Sequence, residues 1–321
     1  MKIKEGSIVK SFLKEQGLLA ALFLVLLFFT LWNRTFLSSR NILLVLRQVT
    51  LVGIMACGMT LVIVGGNFDL SVGSLMSLTA VISVRMHNVG GPLLSVGVTL
   101  LVGLAVGLLN GYLCGYLKLN SMIVTLGMLS VLQALTLIYT NGQFQSLKDT
   151  GTWFSFLGGG YLFGIPFQLI IYIVVLLLFH ILLTKTVFGR QLQAVGFNRV
   201  ASQFSGINDN KLVLLSFVTT GLTAALAGII VSSRVLGSQN TTGMGYEFNV
   251  IATVILGGAN LNGGEGNICK TMIGVLILGF LQNGFIMIGL PYYFQYIAQC
   301  VIIIGIVWLD IASKRREVLR V

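Results

Sequence analysis

Long apolar runs alternate with short polar segments along almost the whole chain. Runs of roughly 15 to 24 apolar residues fit the bilayer core. They predict helices over 18–32, 42–65, 71–87, 93–116, 121–140, 166–184, 212–232, 248–261, 268–289 and 293–310. The eighth is short and rich in glycine, which predicts a broken or partly spanning helix. The expected fold is an all-α, polytopic membrane protein of about ten transmembrane helices, with short or broken helices near the Gly-rich motifs. It forms one transmembrane domain over 1–321.

Composition agrees with that pattern. The chain is 56% hydrophobic and only 9% charged, with a mean hydropathy of +0.95. A water-soluble core of 321 residues cannot hide so much apolar surface. The run Leu18 to Trp32 follows a lysine-rich start and lacks a small-residue cleavage site, so it is expected to be a retained first helix.

Charge sets the expected orientation. The net charge of +11 is spread over short segments between apolar runs, which argues for positive-inside topology and against a nucleic-acid-binding face. An even helix count with both termini cytoplasmic places fourteen basic residues on inner segments and six on outer ones. The longest outer segments are then 141–165 and 233–247. The polar stretch 185–211 becomes a cytoplasmic loop, with Lys185, Arg190, Arg199 and Lys211 against the single acid Asp209.

Within that loop Asn198 is a good helix cap and Gly206 a good stop. Val200, Ala201 and Phe204 fall on one helical face, while Arg199, Ser202, Gln203 and Ser205 occupy the rest. A short helix with an aromatic knob suits a groove on a partner protein or, alternatively, the lipid interface. A weak internal repeat is also present. Val62-Ile63-Val64-Gly65-Gly66 recurs as Val254-Ile255-Leu256-Gly257-Gly258, and in the expected topology both copies run in the same direction.

The chain carries no catalytic residues and no metal site by motif. It has no GxxxxGK[ST] loop, no HExxH and no GxSxG. The four cysteines include no CxxC pair and are expected to be small core residues, and His87 and His180 to be packed or interfacial. The turn Asn67-Phe68-Asp69-Leu70-Ser71 has two readings. Asp69 and Ser71 can cap the following helix, or an acid in irregular backbone at membrane depth can serve transport or a partner contact. The amides Asn110, Gln282 and Asn283 are candidates for a translocation path or for glue between helices. Buried acid–base pairs of the kind used by ion-driven carriers are absent from the pattern.

The chain resembles the permease subunits of bacterial ribose-type (simple-sugar) ABC importers, and more distantly branched-chain amino acid permeases. The resemblance covers nearly the whole chain. It rests on GMTLVIVGGNFDLSVGSLMSLTA at Gly58–Ala80, YTNGQ at Tyr139–Gln143, GRQLQAVGFNRVASQFSGIN at Gly189–Asn208 and GYEFNVIATVILGGANLNGGEG at Gly245–Gly266. Departures occur at Asn67-Phe68-Asp69 and Gly196-Phe197-Asn198-Arg199, which leave the substrate and partner identity open.

The resemblance implies a non-enzymatic path-forming subunit in the bacterial inner membrane. Its partners would be a second permease (identical or a paralogue), a cytoplasmic ATPase, and a periplasmic or lipid-anchored sugar-binding protein. ATP and Mg would bind the ATPase, leaving this chain without a cofactor. The residues from Asn198 to Ser205 would be the coupling helix that docks in the ATPase. The competing readings are a stand-alone secondary carrier or facilitator of small polar solutes, and a membrane scaffold without a transport role.

Overall fold

A computed structural model describes residues 5–291 together with 293, 294, 297, 300, 301 and 305, and side chains from residue 17 onward. The expected segment 293–310 lies largely outside these residues. The described chain is mostly helical, with loops and four two-residue strands between the helices.

Among the described residues, six helices are long and apolar enough to cross a membrane: α2 (Ser39–Val64), α3 (Val72–Gly115), α4 (Ser121–Thr140), α6 (Phe167–Lys185), α9 (Asp209–Val235) and α11 (Ile268–Met287). The chain is therefore a multi-pass membrane protein. This is fewer than the ten expected from hydropathy. Within α1 (Glu5–Trp32) only Gly17–Trp32 is apolar, and α10 (Tyr246–Leu256) has 11 residues. At 1.5 Å per residue α10 is about 16 Å long, half the roughly 30 Å bilayer core.

The expected spans 71–87 and 93–116 fall in one helical run, α3, which folds back on itself. Gly91 has φ +79 and Pro92 follows it. Ser83 and Ser95 hydroxyls lie 2.9 Å apart, and Ser95 also donates to the Ser83 carbonyl at 2.7 Å. In a straight helix positions twelve apart are separated by about 18 Å. The two limbs are thus an antiparallel pair, because only glycine enters the turn conformation without steric cost.

Small residues bring α9 into the middle of the bundle. Gly103, Gly107, Gly111 and Gly115 line one stripe of the second α3 limb. A Cβ at Gly107 would lie 2.7 Å from the Phe217 carbonyl, and one at Gly111 2.8 Å from Leu214 Cα. The backbones therefore pack directly, as small-residue stripes allow between membrane helices.

The two Gly-Gly turns of the repeat have the same structure. After α2, Gly65 donates to Leu61, Gly66 to Ile63 and Asn67 to Val62; after α10, Gly257 donates to Thr253, Gly258 to Ile255 and Ala259 to Val254. Gly66 and Gly258 are both left-handed, at φ +74 and +83. Both helices end in the same left-handed glycine cap. The expected span 248–261 accordingly stops at Leu256.

The segments 141–165 and 233–247 meet at one end of the bundle. Strand β1 (Gln145–Ser146) pairs antiparallel with β4 (Gly237–Ser238), while α5 (Phe154–Gly159) packs on α9. Strand β2 (Tyr161–Leu162) pairs with β3 (Ile165–Pro166) just before α6. His87 is buried and meets the Thr152 hydroxyl at 2.8 Å. Cys57 and Cys114 are core residues as expected, but Cys269 and Cys300 are exposed, with Cys269 Sγ 3.5 Å from His180 Nδ1.

Candidate coupling surface and buried polar turn

The stretch 185–211 is mostly helical. It holds α7 (Val187–Phe197) and α8 (Arg199–Phe204), where the sequence suggested a single short helix. Thr186 Oγ1 caps α7 by accepting from Gly189 N at 3.2 Å, and Leu192 and Val195 anchor it in the core.

Helix α8 has the limits that its capping signals predict. Asn198 Oδ1 accepts from Ala201 N at 2.9 Å. At the other end Gly206, at φ +76, donates to the Gln203 carbonyl, and Ile207 donates to that of Ser202. Ser205 donates its hydroxyl to the Ala201 carbonyl at 3.0 Å. Val200 is 61% exposed and Phe204 89% exposed, with Ala201 exposed between them, whereas Ser202 is buried. Six residues thus present an apolar face away from the bundle.

That face is held from behind by Asp209. Its Oδ2 accepts from Arg199 Nε at 2.5 Å and from Lys118 Nζ at 2.7 Å, and its Oδ1 accepts from Gln203 Nε2 at 3.1 Å. Lys118 also donates to Asn210 Oδ1. The Asp209 side chain is 7% exposed, against 37% for Arg199 and 41% for Lys118. A shielded carboxylate with two cations and an amide ties α8 to the start of α9 and to the α3–α4 turn. The sequence offered a signal for this role: Asp209 is the sole acid in a basic loop.

The end of α7 is built into both repeat turns. Gly264 N donates to the Val64 carbonyl at 2.8 Å, joining the segment after α10 to the end of α2. Gly196 fills the remaining space. A Cβ there would collide with Val64 O and Gly264 N and lie 2.9 Å from Gly264 Cα. A Cβ at Gly263, itself at φ +89, would come within 2.8 Å of Gly66 Cα. The residues immediately before α8 therefore touch both halves of the repeat.

The turn between α2 and α3 is a buried polar chain. Asp69 Oδ1 accepts from Ser71 N at 2.9 Å and from Ser71 Oγ at 2.6 Å, and Asn110 Nδ2 donates to Ser71 Oγ at 3.0 Å. Asp69, Ser71 and Asn110 are each at most 2% exposed. Ser71 occupies the cap position of α3 but makes no side-chain cap bond, because its oxygen lies between Asp69 and Asn110. Asp69 closes a local turn on Ser71 instead of reaching the helix amides. From α4, Ser121 and Thr125 accept the backbone N–H groups of Phe68 and Leu70. Asn67 is buried and donates to the Gly65 carbonyl at 2.9 Å.

The other proposed amides sit elsewhere. Gln282 donates to Asn249 at 3.3 Å, and Asn283 exchanges bonds with Asn41 at 2.8 and 3.1 Å, linking α11 to α2. One candidate was missed. Glu247, in the first turn of α10, is 6% exposed, and its carboxylate occupies the space beside Gly73 at the start of α3. Gly243 packs on the same glycine and donates to Ser77 Oγ at 2.7 Å. An acid in the first helical turn after a glycine, as in Gly245-Tyr246-Glu247, was the available signal.

Comparison with known proteins gives one consistent result. The family model described as branched-chain amino acid transport system / permease component matches residues 41–307. The ribose import permease protein RbsC of Haemophilus influenzae is 38% identical over 93% of this chain and 94% of its own length. The RbsC protein of Bacillus subtilis is 37% identical over 93% of both chains. The L-arabinose transport system permease protein AraH of Escherichia coli is 33% identical over 91% of this chain and 88% of its own. No solved structure matches the chain. A match that takes in both repeat turns, α7, α8 and all six membrane-length helices shows that the chain belongs to the branched-chain amino acid transport system permease family.

Proposed function

We propose that the chain is the path-forming permease subunit of an ATP-driven importer for a monosaccharide in the bacterial inner membrane. The observation that carries this reading is α8. A six-residue helix displays Val200 and Phe204 to the outside while Asp209 fixes its inner face. Such a rigid apolar knob suits a groove on a cytoplasmic ATPase. A lipid-facing role is less suited, since a helix lying on the bilayer needs no ion-paired clamp on its polar side. The ribose and arabinose permeases among the relatives support a sugar as cargo.

In this reading both termini are cytoplasmic and the spans number about ten, with the limbs of α3 counted separately. A separate binding protein delivers the sugar to the end where β1 and β4 pair, and a second permease copy or paralogue completes the path. Motion imposed on α8 passes through Gly196 to the ends of α2 and α10, which turns ATPase closure into a shift of both repeats. Asp69, Ser71, Asn110 and Glu247 lie where α3 and α10 begin and form the polar lining nearest that pivot.

The test is reconstitution. Vesicles holding the chain with its ATPase and binding protein should take up the sugar only with ATP. Full-rate uptake by the chain alone would overturn the proposal in favour of a stand-alone carrier.

A further inference from the structure

We propose that the β2–β3 hairpin and α5 form a membrane-surface anchor whose tip, Phe163, lies in the lipid headgroup and upper acyl layer at the N-terminal end of α6. Strands Tyr161–Leu162 and Ile165–Pro166 are joined by Phe163 and Gly164, with φ of +50 and +79. Two positive values in a two-residue loop define the turn type that favours Asn-Gly. Phenylalanine occupies the first position although a left-handed conformation is costly for it. Its side chain gains nothing from the protein in return, since Phe163 is 96% exposed. Strain without an internal contact points to a contact outside the chain.

Leu162 and Ile165 beside the tip, and Trp153 and Phe156 at α5, are each at least 40% exposed. Trp and Tyr concentrate at the membrane–water boundary, where a ring meets the headgroups, and an exposed Phe or Leu beside them buries in the headgroup/acyl boundary. The hairpin stands at that level, because α6 begins at Phe167, directly after it. Two residues of strand reach about 7 Å. The interfacial layer of one leaflet is roughly 5–8 Å thick. The tip therefore stays within it.

Charge decides between lipid and a soluble protein as the occupant. From Thr150 to Thr184 there is no Asp, Glu, Lys or Arg. A docking surface for a water-soluble partner carries a polar or charged rim, and this segment supplies no charged side chain for one. Among the described residues, the one cation brought to the hairpin comes from inside the bundle. Arg47 of α2 donates to Tyr161 Oη at 2.7 Å and to the Gly158 carbonyl at 3.2 Å, with its guanidinium 5.1 Å from the Tyr161 ring. Arg47 thus clamps the base of the hairpin to α2 while Leu162 and Phe163 project away. The anchor would fix the position of α2 and α6 relative to the bilayer surface.

Spin labelling tests this in the full chain, reconstituted in lipid vesicles after replacement of the exposed Cys269 and Cys300 by serine. Labels go on Phe163→Cys and Leu162→Cys, with Asp149→Cys as the aqueous reference and Leu177→Cys as the acyl-chain reference. Power saturation compares collision with oxygen, which dissolves in lipid, and with a nickel chelate, which stays in water. The expected result is oxygen accessibility above nickel accessibility at 163 and 162, at a depth between the two references. Nickel accessibility equal to that at 149 would overturn the anchor. An immobilised label shielded from both reagents would also overturn it and assign the patch to contact with a second copy of the chain. Because the readout needs no transport, it stands apart from the reading of the chain as a sugar permease.

Discussion

Arg199 Nε lies 2.5 Å from Asp209 Oδ2, so the first residue of α8 is ion-paired to the first residue of α9. The pair spans ten positions of sequence and encloses the turn at Gly206. It makes α8 part of the bundle end rather than a free excursion. Lys118 reaches the same carboxylate from the α3–α4 turn.

Removing that carboxylate should free α8 without unfolding the membrane core. Asp209→Ala removes the carboxylate shared by Arg199 and Lys118 and leaves Lys118 only Asn210 Oδ1, at a cost of about 1–3 kcal/mol once the exposure of both cations is allowed for. Hydrogen exchange should speed up over 198–208 and stay unchanged in α2 and α9. Unchanged protection in 198–208 would show that the clamp is dispensable.

Charging the exposed knob should act on assembly alone. Phe204→Asp changes a side chain that is 89% exposed, so insertion and thermal stability should match the parent chain. Binding to the ATPase should weaken by about 2 kcal/mol or more, roughly thirtyfold, as for an aromatic interface anchor. Undiminished co-purification of the ATPase would exclude α8 as its docking helix.

Gly196 separates assembly from transmission. Gly196→Ala drives a methyl group into Val64 O and Gly264 N, a backbone site with little room to yield. The expected cost is about 1–3 kcal/mol. The ATPase should still bind, yet ATP hydrolysis should lose its dependence on the binding protein and sugar uptake should fall. Gly127→Ala serves as the control, since nothing lies within 4 Å of a Cβ there. Normal coupling in Gly196→Ala would remove this contact from the route.

Asp69 can be tested for a structural against a transport role. Asparagine keeps an acceptor for Ser71 N and Oγ, whereas alanine keeps none. If the side chain only closes the turn, Asp69→Asn should transport at near the parental rate, and Asp69→Ala should lose about 1–3 kcal/mol of stability. A stable but inactive Asp69→Asn protein would show that the charge serves translocation.

The α3–α9 seam should be the most sensitive place in the bundle for added volume. Gly107→Val puts branched carbon where Phe217 O and Val218 Cα lie within 3 Å of a Cβ. Helix separation should lower the melting temperature in detergent well beyond the effect of Gly97→Val, where nothing is within 4 Å. Equal melting temperatures would contradict direct backbone packing.

The sequence by itself determined the solvent, the helical class and the limits of α8. These depend on local quantities: length of apolar run, a capping Asn198 and a left-handed Gly206. It also contained the repeat, because a Gly-Gly helix end is a local motif. Four things were settled only by tertiary structure. The apolar pattern placed a break between 87 and 93 and a short, Gly-rich eighth segment, but only the structure shows that the limbs on either side of Gly90-Gly91 pair side by side and that α10 stops at Leu256. The partner of Arg199 was adjacent in the loop, but Lys118 comes from 91 positions away, and no sequence pattern joins them. The sequence separated the turn at Asn67, Asp69 and Ser71 from the helix-borne amides Asn110, Gln282 and Asn283 but did not say which of them meet. Packing brought Asp69, Ser71 and Asn110 into one chain of hydrogen bonds and left Asn283 as a bridge to Asn41. Finally, Gly196 had no distinguishing mark as a residue. Its importance lies in the backbone atoms of Val64 and Gly264 that close around it, and such a contact exists only once three distant segments have met.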